Sequence, residues 1–277
     1  MLKTLILSCG LSCGLSLSCL PALAQSRAEA DNLVATLSPG WQTATGTRMA
    51  GLQLTLAPGW KTYWRSPGEA GLPPLFNWSG SVNVKSVRIN WPSPTVFKAN
   101  GMQSIGYHDA VMLPLEVTPR DATLPVQLHA AIDLGICRDI CVPASLTLSA
   151  DLPPSGTPPA ETAPDAISAA LGNGPLSGDQ AGVEGVTCAV DPIADGLRVT
   201  ASITMPRHSP QETVVFETGQ PDIWISAAGS SRQSGTLTAV TEMVAPTGVP
   251  FALERAKIRL TILGNTRSVE ILGCPAP

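Results

Sequence analysis

The feature that most constrains the fold is a long alternation of apolar with polar or small residues from Val126 to Ile136. A period of two predicts a β-strand with one face in a core and the other toward solvent. The alternation resumes at Leu146 and Leu148 after a short break. The two runs are therefore predicted to form one long hairpin whose apolar side chains face a core.

Two cysteines, Cys137 and Cys141, occupy the break between these runs, and Pro143 follows them. They are expected at the tip of the hairpin, close enough to form one small ring. In the chain-entropy estimate, closing about five residues stabilises a fold by roughly 2 kcal/mol, against about 4.6 kcal/mol for about 87 residues. A pair that stabilises weakly and can open and close favours redox chemistry over a structural staple.

The first residues predict export from the cytoplasm. Lys3 precedes an apolar, serine-rich run from Leu5 to Leu20, and Pro21-Ala-Leu-Ala24 has the small residues of a cleavage site. This is the pattern of a secretory signal peptide, residues 1–24, with no twin-arginine pair and hence of the Sec type. No later stretch is long and apolar enough to span a membrane, so we expect a soluble mature protein.

Cleavage would remove three of the seven cysteines. The four that remain allow three pairings, and an oxidising compartment makes disulfides the default. We favour Cys137–Cys141 and Cys188–Cys274. The second pair would join the start and the end of the C-terminal half and act as a structural staple.

The charge pattern excludes one class of partner. The net charge is −4, and the sequence has no basic cluster. Nucleic acid is therefore not expected to bind.

The composition changes near the middle of the chain. Residues 153–182 contain a proline-rich stretch that predicts a linker, followed by a short helix from Asp165 to Leu171 with Asp165 as its N-cap. The flanking segments, residues 27–152 and 183–277, both carry short alternating runs between Pro and Gly clusters. This pattern predicts an all-β fold of two β-sandwich domains joined by the linker.

One hairpin of the C-terminal half has a register that can be predicted. Gly264-Asn265 is typical of a two-residue turn. Such a turn would pair Leu263 with Thr266, and therefore Leu260 with Val269. This register places apolar pairs on one face and polar pairs on the other, as expected for a half-buried hairpin.

Three groups of motifs follow one another in the order of a known family. They are Gly59-Trp-Lys-Thr-Tyr-Trp-Arg65 with Ser66-Pro-Gly68 and Gly71-Leu-Pro-Pro74, Gly106-Tyr107 with Val111-Met-Leu-Pro114, and Ile136-Cys-Arg-Asp-Ile-Cys-Val-Pro143. Together they resemble the N-terminal periplasmic domain of DsbD-type thiol:disulfide interchange proteins, especially the suppressor-of-copper-sensitivity (ScsB) branch. The resemblance covers about residues 30–152, and the region after residue 183 matches more loosely as a second sandwich domain.

The resemblance implies an immunoglobulin-like fold and a periplasmic location. For the redox function we expect no cofactor and no bound metal. In the family a cysteine pair takes electrons from a membrane-embedded domain and passes them to periplasmic thioredoxin-like substrates. The matching positions are Cys137 and Cys141, with Cys141 as the nucleophile. The chain stops at Pro277 without membrane helices, so we expect a separate membrane-embedded thiol reductase to supply the electrons in trans.

The family also covers its cysteines with a loop that carries an aromatic tip. The corresponding segment here is Val96–Ser104. The resemblance makes Phe97 the first candidate for the shielding ring, with an ordinary core position as the alternative, and Met102 the second candidate. Tyr107 is expected either beside the cysteines or in the core.

Other residues near the motifs have simpler interpretations. Trp60, Tyr63 and Trp64 are interpreted as aromatics of the core and the sandwich edge. Arg138 favours the thiolate form of a neighbouring cysteine, while Asp139 opposes it.

Two other functions stay open from the sequence. A CxxxC pair suits Cu(I), a soft ion, and His108 or His129 could be the third ligand, although the chain has no methionine-rich tract or histidine cluster. Alternatively, the chain is a non-catalytic immunoglobulin-like interaction module in which both disulfides are inert.

Overall fold

The computed structural model describes residues 26–99, 101–152, 163–246, 251–265 and 267–277. The predicted signal peptide and the proline-rich stretch at 153–162 lie outside these described residues. Among the described residues, no helix is long and apolar enough to span a membrane.

The first half of the chain is built from strands, as predicted. They are β1 (Ser26–Ala30), β2 (Leu33–Gln42), β3 (Arg48–Leu56), β4 (Lys61–Tyr63), β5 (Leu75–Asn77), β6 (Val84–Ile89), β7 (Thr95–Ala99), β8 (Met102–His108), β9 (Ala110–Pro119), β10 (Val126–Cys137) and β11 (Cys141–Leu152).

The second half is also mostly strands. Its elements are α1 (Ala163–Gly172), β12 (Leu176–Ser177), β13 (Gly185–Ile193), β14 (Gly196–Thr204), β15 (Thr213–Glu217), β16 (Trp224–Ile225), β17 (Gly229–Gln233), β18 (Thr236–Val244), β19 (Arg259–Leu263) and β20 (Val269–Leu272), with short 3-10 helices at Asp179–Ala181 and Arg255–Lys257.

Within the described residues, the first half forms two antiparallel sheets. Their strand orders are β1-β2-β3-β9-β6 and β11-β10-β4-β8-β7, with β5 beside β10. Leu37 and Leu52 of the first sheet and Leu128 and Leu148 of the second belong to one hydrophobic cluster, and all four are fully buried. This core is formed by the residues that alternate along the strands.

The predicted long hairpin is confirmed. β10 and β11 pair without interruption from Val126 opposite Leu152 to Cys137 opposite Cys141. The alternating side chains of β10 are buried, from Val126 at 0 % exposure to Ile136 at 0 %.

The second half has its own core between a sheet of order β12-β20-β19-β15 and a sheet of order β13-β14-β18-β16, with β17 beside β18. The register predicted for the β19–β20 hairpin is wrong. Leu260 pairs with Ile271, not with Val269, and Ile262 pairs with Val269. The slip is two residues, an even number, so these four side chains keep the predicted face and stay buried.

A neighbouring loop explains why the turn is not the short one predicted. A Cβ on Gly264 would lie 2.4 Å from the Cβ of Ser209. The Ser209 hydroxyl oxygen also accepts a hydrogen bond from the backbone N–H of Asn265 at 3.1 Å. The connection therefore packs against the loop before β15, which a local turn signal does not reveal.

The helix α1 begins two residues before the predicted start, so Asp165 lies in its first turn rather than at the N-cap. Ile167 is fully buried against Met49 in a small apolar cluster. A Cβ on Gly51 would lie 2.7 Å from Ile167 Cγ1. This part of the predicted linker is thus packed on the first sheet.

The two halves are in contact beyond the helix. Val215 and Leu263 of the second half belong to the hydrophobic cluster of the first half. The hydroxyl oxygen of Ser93 accepts a hydrogen bond from the backbone N–H of Ser268 at 2.8 Å. These contacts place β15 and the β19–β20 hairpin against the first half.

Candidate active site

A disulfide closes the end of the long hairpin. Cys137 is the last residue of β10 and Cys141 the first of β11, and the two sulfur atoms are bonded. The N–H of Arg138 donates to the carbonyl of Ile140 across the short turn at 3.3 Å. Cys137 is buried at 7 % exposure, whereas Cys141 is exposed. Only the second sulfur therefore belongs to a residue that solvent readily reaches.

The second disulfide, between Cys188 and Cys274, has a different environment. Both residues are buried, at 0 % and 1 % exposure. The two pairings are those predicted from the sequence. The contrast in burial separates an accessible disulfide from one that lies inside a core.

Strand pairing places three side chains in one row beside the disulfide. Lys61 of β4 is opposite Cys137 of β10, and His108 of β8 is opposite Lys61. Because side chains alternate along each strand, residues directly opposite one another point to the same face of the sheet. This face is the one opposite the core.

Tyr63 lies two residues after Lys61 on the same face, and its hydroxyl oxygen is 3.0 Å from Cys141 Sγ. A disulfide sulfur carries no hydrogen, so the hydroxyl is the only possible donor in this contact, and its single proton has a second acceptor. The same hydroxyl is 3.4 Å from the carbonyl oxygen of Ala70. Burial raises the pKa of Tyr63, which keeps the hydroxyl protonated and able to donate.

Glycine makes room for this tyrosine. A Cβ on Gly135 would lie 3.1 Å from Tyr63 Cε2 and 3.2 Å from Leu72 Cβ. A Cβ on Gly71 would lie 2.9 Å from Tyr63 Cδ1. The ring is thus packed between β10 and the segment after β4, with Leu72 beside it and 51 % exposed.

Tyr63 is buried at 3 % exposure, in agreement with its interpretation as a core or edge aromatic, but its contact with Cys141 was not predicted from the sequence. A useful signal was present: two residues before Cys137 stands Gly135, and two residues after Lys61 stands Tyr63. Once Cys137 and Lys61 are known to pair, the antiparallel register brings the glycine opposite the tyrosine. The pairing of β4 with β10 is not readable from the sequence.

Phe97 lies beside the same row. The predicted loop Val96–Ser104 is mostly strand, and Phe97 falls within β7. Its ring centroid is 4.4 Å from that of His108, and Lys61 Nζ lies 4.7 Å from the centre of the Phe97 ring. Lys61 Nζ also donates to the hydroxyl of Ser104 at 3.3 Å. The β7–β8 hairpin therefore contacts the residue that is paired with Cys137.

The other two predicted cap residues are placed differently. Met102 begins β8 and is 52 % exposed. Tyr107 is opposite Thr62, so it lies on the core face, where its hydroxyl donates to the carbonyl of Pro92 at 2.8 Å. Burial raises its pKa well above the usual value. Of the two positions expected for Tyr107, the structure shows the core position and not the one beside the cysteines.

Arg138 lies in the turn itself and contacts both Asp139 and the ring of Trp60. Its Nε is 3.0 Å from the Asp139 carboxylate, and its Cζ lies 5.7 Å from the centre of the Trp60 ring. The Arg138–Asp139 pair is solvent-exposed, and exposed ion pairs contribute about 1 kcal/mol or less. The two opposite charges of the turn therefore largely offset each other at the cysteines.

The histidines considered as copper ligands do not form a metal cluster with the cysteines. His129 Nδ1 is 3.1 Å from the Ser149 hydroxyl, eight residues along β10 from Cys137. His108 is separated from Cys137 by β4, about 10 Å at the usual strand spacing, and packs on Phe97. In the described ranges, no group of three or more His, Cys, Asp or Glu side chains could hold a metal ion.

Fold and site together define a class: an all-β protein with an accessible disulfide at the turn of a long hairpin. Residues 34–153 match the family described as "Thiol:disulfide interchange protein DsbD, N-terminal". The matched segment includes Cys137 and Cys141 and is similar to that family.

A solved structure has the same fold over both halves. The N-terminal periplasmic domain of ScsB from Proteus mirabilis is 22 % identical, with a TM-score of 0.65. The alignment covers 89 % of this chain and 94 % of that one. A search of curated proteins found no match. The likeness to this solved structure is one of fold, and it extends over both halves of the chain.

Proposed function

We propose that the chain relays electrons through Cys137 and Cys141, from a separate membrane-embedded reductase to periplasmic thioredoxin-like proteins. The observation that carries the proposal is the contrast between the two disulfides: Cys141 is exposed, whereas Cys188 and Cys274 are buried. Thiol–disulfide exchange needs a sulfur that a partner can reach and a second sulfur close enough to complete the reaction. The hairpin end meets both needs.

The proposed relay has two half-reactions. A dithiol of the donor reduces the Cys137–Cys141 bond, so two electrons and two protons enter the pair and the donor becomes a disulfide. The Cys141 thiolate then attacks the disulfide of the substrate protein, which forms a mixed disulfide and releases one substrate thiolate. The Cys137 thiolate attacks Cys141 Sγ, re-forms the intramolecular bond and releases the second substrate thiolate.

Exposure supports the assignment of the roles. Cys141 is open to a partner, and Cys137 is buried beneath the turn at 7 % exposure. Tyr63 lies 3.0 Å from Cys141 Sγ and supplies a donor to the thiolate at that position. We therefore assign Cys141 as the nucleophile and Cys137 as the resolving cysteine.

Phe97 is proposed to shield the pair from oxidants. Its support is the contact with Lys61 and His108 in the row beside Cys137. Met102, at the exposed start of β8, stays a secondary candidate. If Phe97 shields the pair, Phe97→Ala should speed the reaction of the disulfide with glutathione, and an unchanged rate would contradict this role.

The remaining parts of the proposal concern the chain as a whole. We infer that residues 1–24 are removed on export by the Sec route, and that 27–152 and 183–277 are two immunoglobulin-like domains. Cys188–Cys274 is assigned as a structural disulfide. Mass spectrometry of the exported protein should show an N-terminus at Gln25, and a retained leader would contradict the signal assignment.

The redox assignment is tested by equilibrating the mature protein in a glutathione series and counting free thiols by mass. The Cys137–Cys141 bond should open at a mild potential, whereas Cys188–Cys274 resists reduction. Cys141→Ser and Cys188→Ser variants identify which pair has opened. Two disulfides that resist equally would contradict the proposal and favour an inert module. Stoichiometric Cu(I) uptake abolished by Cys137→Ser would favour the copper function.

The electron source is tested in cells. Deleting the candidate membrane reductase should leave Cys137 and Cys141 oxidised, because no other donor is proposed to reach them. The redox state is read by alkylating free thiols in acid-quenched cells. A pair that stays reduced in the deletion strain would contradict a donor in trans.

A further inference from the structure

One arginine of the first half, two residues after Tyr63, reaches into the second half. The side chain of Arg65 makes two parallel hydrogen bonds to Glu217 at the end of β15, both 2.9 Å long. Its Nη2 also donates to Glu270 of β20 at 2.8 Å. Bidentate arginine–carboxylate pairs are among the stronger and more directional contacts in proteins. Both acceptors belong to the second half.

This cluster is largely removed from solvent. The exposed fractions of the three side chains are 17 % for Arg65, 20 % for Glu217 and 29 % for Glu270. The guanidinium carbon lies 4.3 Å from the centre of the Trp64 ring, which is itself buried. Burial opposes the charge of Arg65, but the two carboxylates raise its pKa overall. Breaking one partner of such a buried pair leaves an uncompensated charge, which is strongly unfavourable.

Arg65 is also part of the segment that packs on the disulfide. It follows Tyr63 by two residues, and the Tyr63 hydroxyl is 3.0 Å from Cys141 Sγ. Five residues later, Ala70 offers its carbonyl to the same hydroxyl, and Leu72 packs over Gly135. The segment from Tyr63 to Leu72 therefore touches the cysteine pair on one side and the second half on the other.

We propose that Arg65 is a positioning residue through which the second half holds Tyr63 against Cys141. The inference rests on the proposed function, and it assigns the second half a role in setting the reactivity of the cysteine pair. The ion pairs fix the backbone at Arg65, and this fixes the strand residue two positions earlier. If the ion pairs are lost, the Tyr63 hydroxyl is no longer held at hydrogen-bond distance from the sulfur.

The test measures how fast iodoacetamide alkylates Cys141 of the reduced protein at different pH values. In Glu217→Gln the half-maximal pH should rise, and the rate below it should fall about threefold or more, since one pH unit corresponds to a tenfold change in thiolate. The direction of the shift in half-maximal pH distinguishes this inference from a direct effect of the lost charge. Removing a negative charge by itself would favour the thiolate and move the half-maximal pH downward.

Two further variants test the route and the specificity. In a Tyr63→Phe background, Glu217→Gln should have no further effect, because the hydroxyl through which it acts is gone. Glu212→Gln is the matched control: Glu212 pairs with Arg232 in a similarly buried site of the second half, away from the cysteines. It should lower stability and leave the half-maximal pH unchanged.

The inference is wrong if folded Glu217→Gln shows an unchanged or lowered half-maximal pH, or if its effect persists without the Tyr63 hydroxyl. Should Glu217→Gln not fold, Glu270→Gln weakens only the single Arg65–Glu270 contact and keeps both Arg65–Glu217 hydrogen bonds, so it should fold and raise the half-maximal pH by a smaller amount. The proteins are reduced with dithiothreitol before alkylation. A disulfide that fails to open in the glutathione series therefore contradicts the proposed function, not this inference.

Discussion

At the scale of single residues, the site depends on an asymmetry between two adjacent sulfurs. Cys137 sits under the turn and Cys141 faces solvent. Tyr63 approaches only the second sulfur within hydrogen-bond distance. An uncharged donor held by packing stabilises a thiolate without attracting a competing anion. This differs from Arg138, whose charge is offset by Asp139.

The contribution of Tyr63 can be measured directly. In Tyr63→Phe the half-maximal pH for alkylation of Cys141 should rise by about one unit, because a hydrogen bond to a charged group contributes roughly 1.5 to 3 kcal/mol and one unit corresponds to about 1.4 kcal/mol. The sign follows from the hydroxyl favouring the charged form. Well below the midpoint of the parent, the variant should react about tenfold more slowly than the parent.

Tyr107→Phe is the control with the same chemical change. Its hydroxyl donates to Pro92 on the core face, away from the cysteines. The variant should lose stability, since a buried carbonyl loses its donor, and its alkylation profile should match the parent. Equal shifts in the two variants would show that the effect is not specific to the Tyr63–Cys141 contact.

The sequence identified the cysteines but not the tyrosine, and the reason is physical. Cys137 and Cys141 are four residues apart on one hairpin, so local alternation is sufficient to place them. Tyr63 and Cys141 are 78 residues apart in the chain. Their contact depends on which strands pair, and that depends on long-range packing. Tyr107 was undecided for the same reason, because the face of β8 that turns inward follows from its pairing with β4.

At the scale of elements, local pattern was reliable where a strand is long. β10 and β11 alternate over their full length, and the predicted hairpin has the predicted end. The β19–β20 hairpin shows the limit. Its alternation gave the correct buried face, but the register slipped by two residues because Ser209 holds the turn. Period-two patterns fix which face is buried, whereas the pairing also depends on the contacts of the turn.

The segment expected as a covering loop gives a second example at this scale. Val96–Ser104 forms most of a hairpin in which Phe97 pairs with Ser104. The hairpin places the Phe97 ring beside Lys61, the residue paired with Cys137, and the shielding of the cysteines by this ring stays a prediction. A hairpin that is hydrogen-bonded along its length presents the ring from a more rigid support than a loop would.

The short helix behaves differently from its neighbours. Its composition predicted a helix within a linker, and the structure contains it, but Ile167 is packed on the first sheet between glycines. The space that receives Ile167 exists because Gly40 and Gly51 lack side chains on adjacent strands. No pattern within the helix itself indicates that such a space is available.

At the scale of the whole molecule, contacts between the described residues of the two halves include the core residues Val215 and Leu263, the Ser93–Ser268 hydrogen bonds, and the Arg65 cluster. The first two anchor the second half, and the third lies beside the segment that touches Cys141. The solved periplasmic domain with the same fold covers both halves. If the second half served only as a spacer between the first half and other domains, the charged side chains of the Arg65 cluster would not need to be buried where the two halves meet.

The two disulfides should differ in their effect on the stability of the whole chain. Cys188–Cys274 spans 86 positions and lies in the core of the second half, while Cys137–Cys141 spans 4. The chain-entropy estimate gives a loss in the free energy of unfolding of about 4.6 kcal/mol for Cys188→Ala/Cys274→Ala and roughly 2 kcal/mol for Cys137→Ala/Cys141→Ala.

Guanidinium unfolding of the oxidised double variants, followed by tryptophan fluorescence and circular dichroism, measures both losses. In the proposed relay the Cys137–Cys141 bond opens in each cycle and is expected to contribute little to folding. Comparable losses for the two variants would contradict the proposed division between a reactive and a structural disulfide.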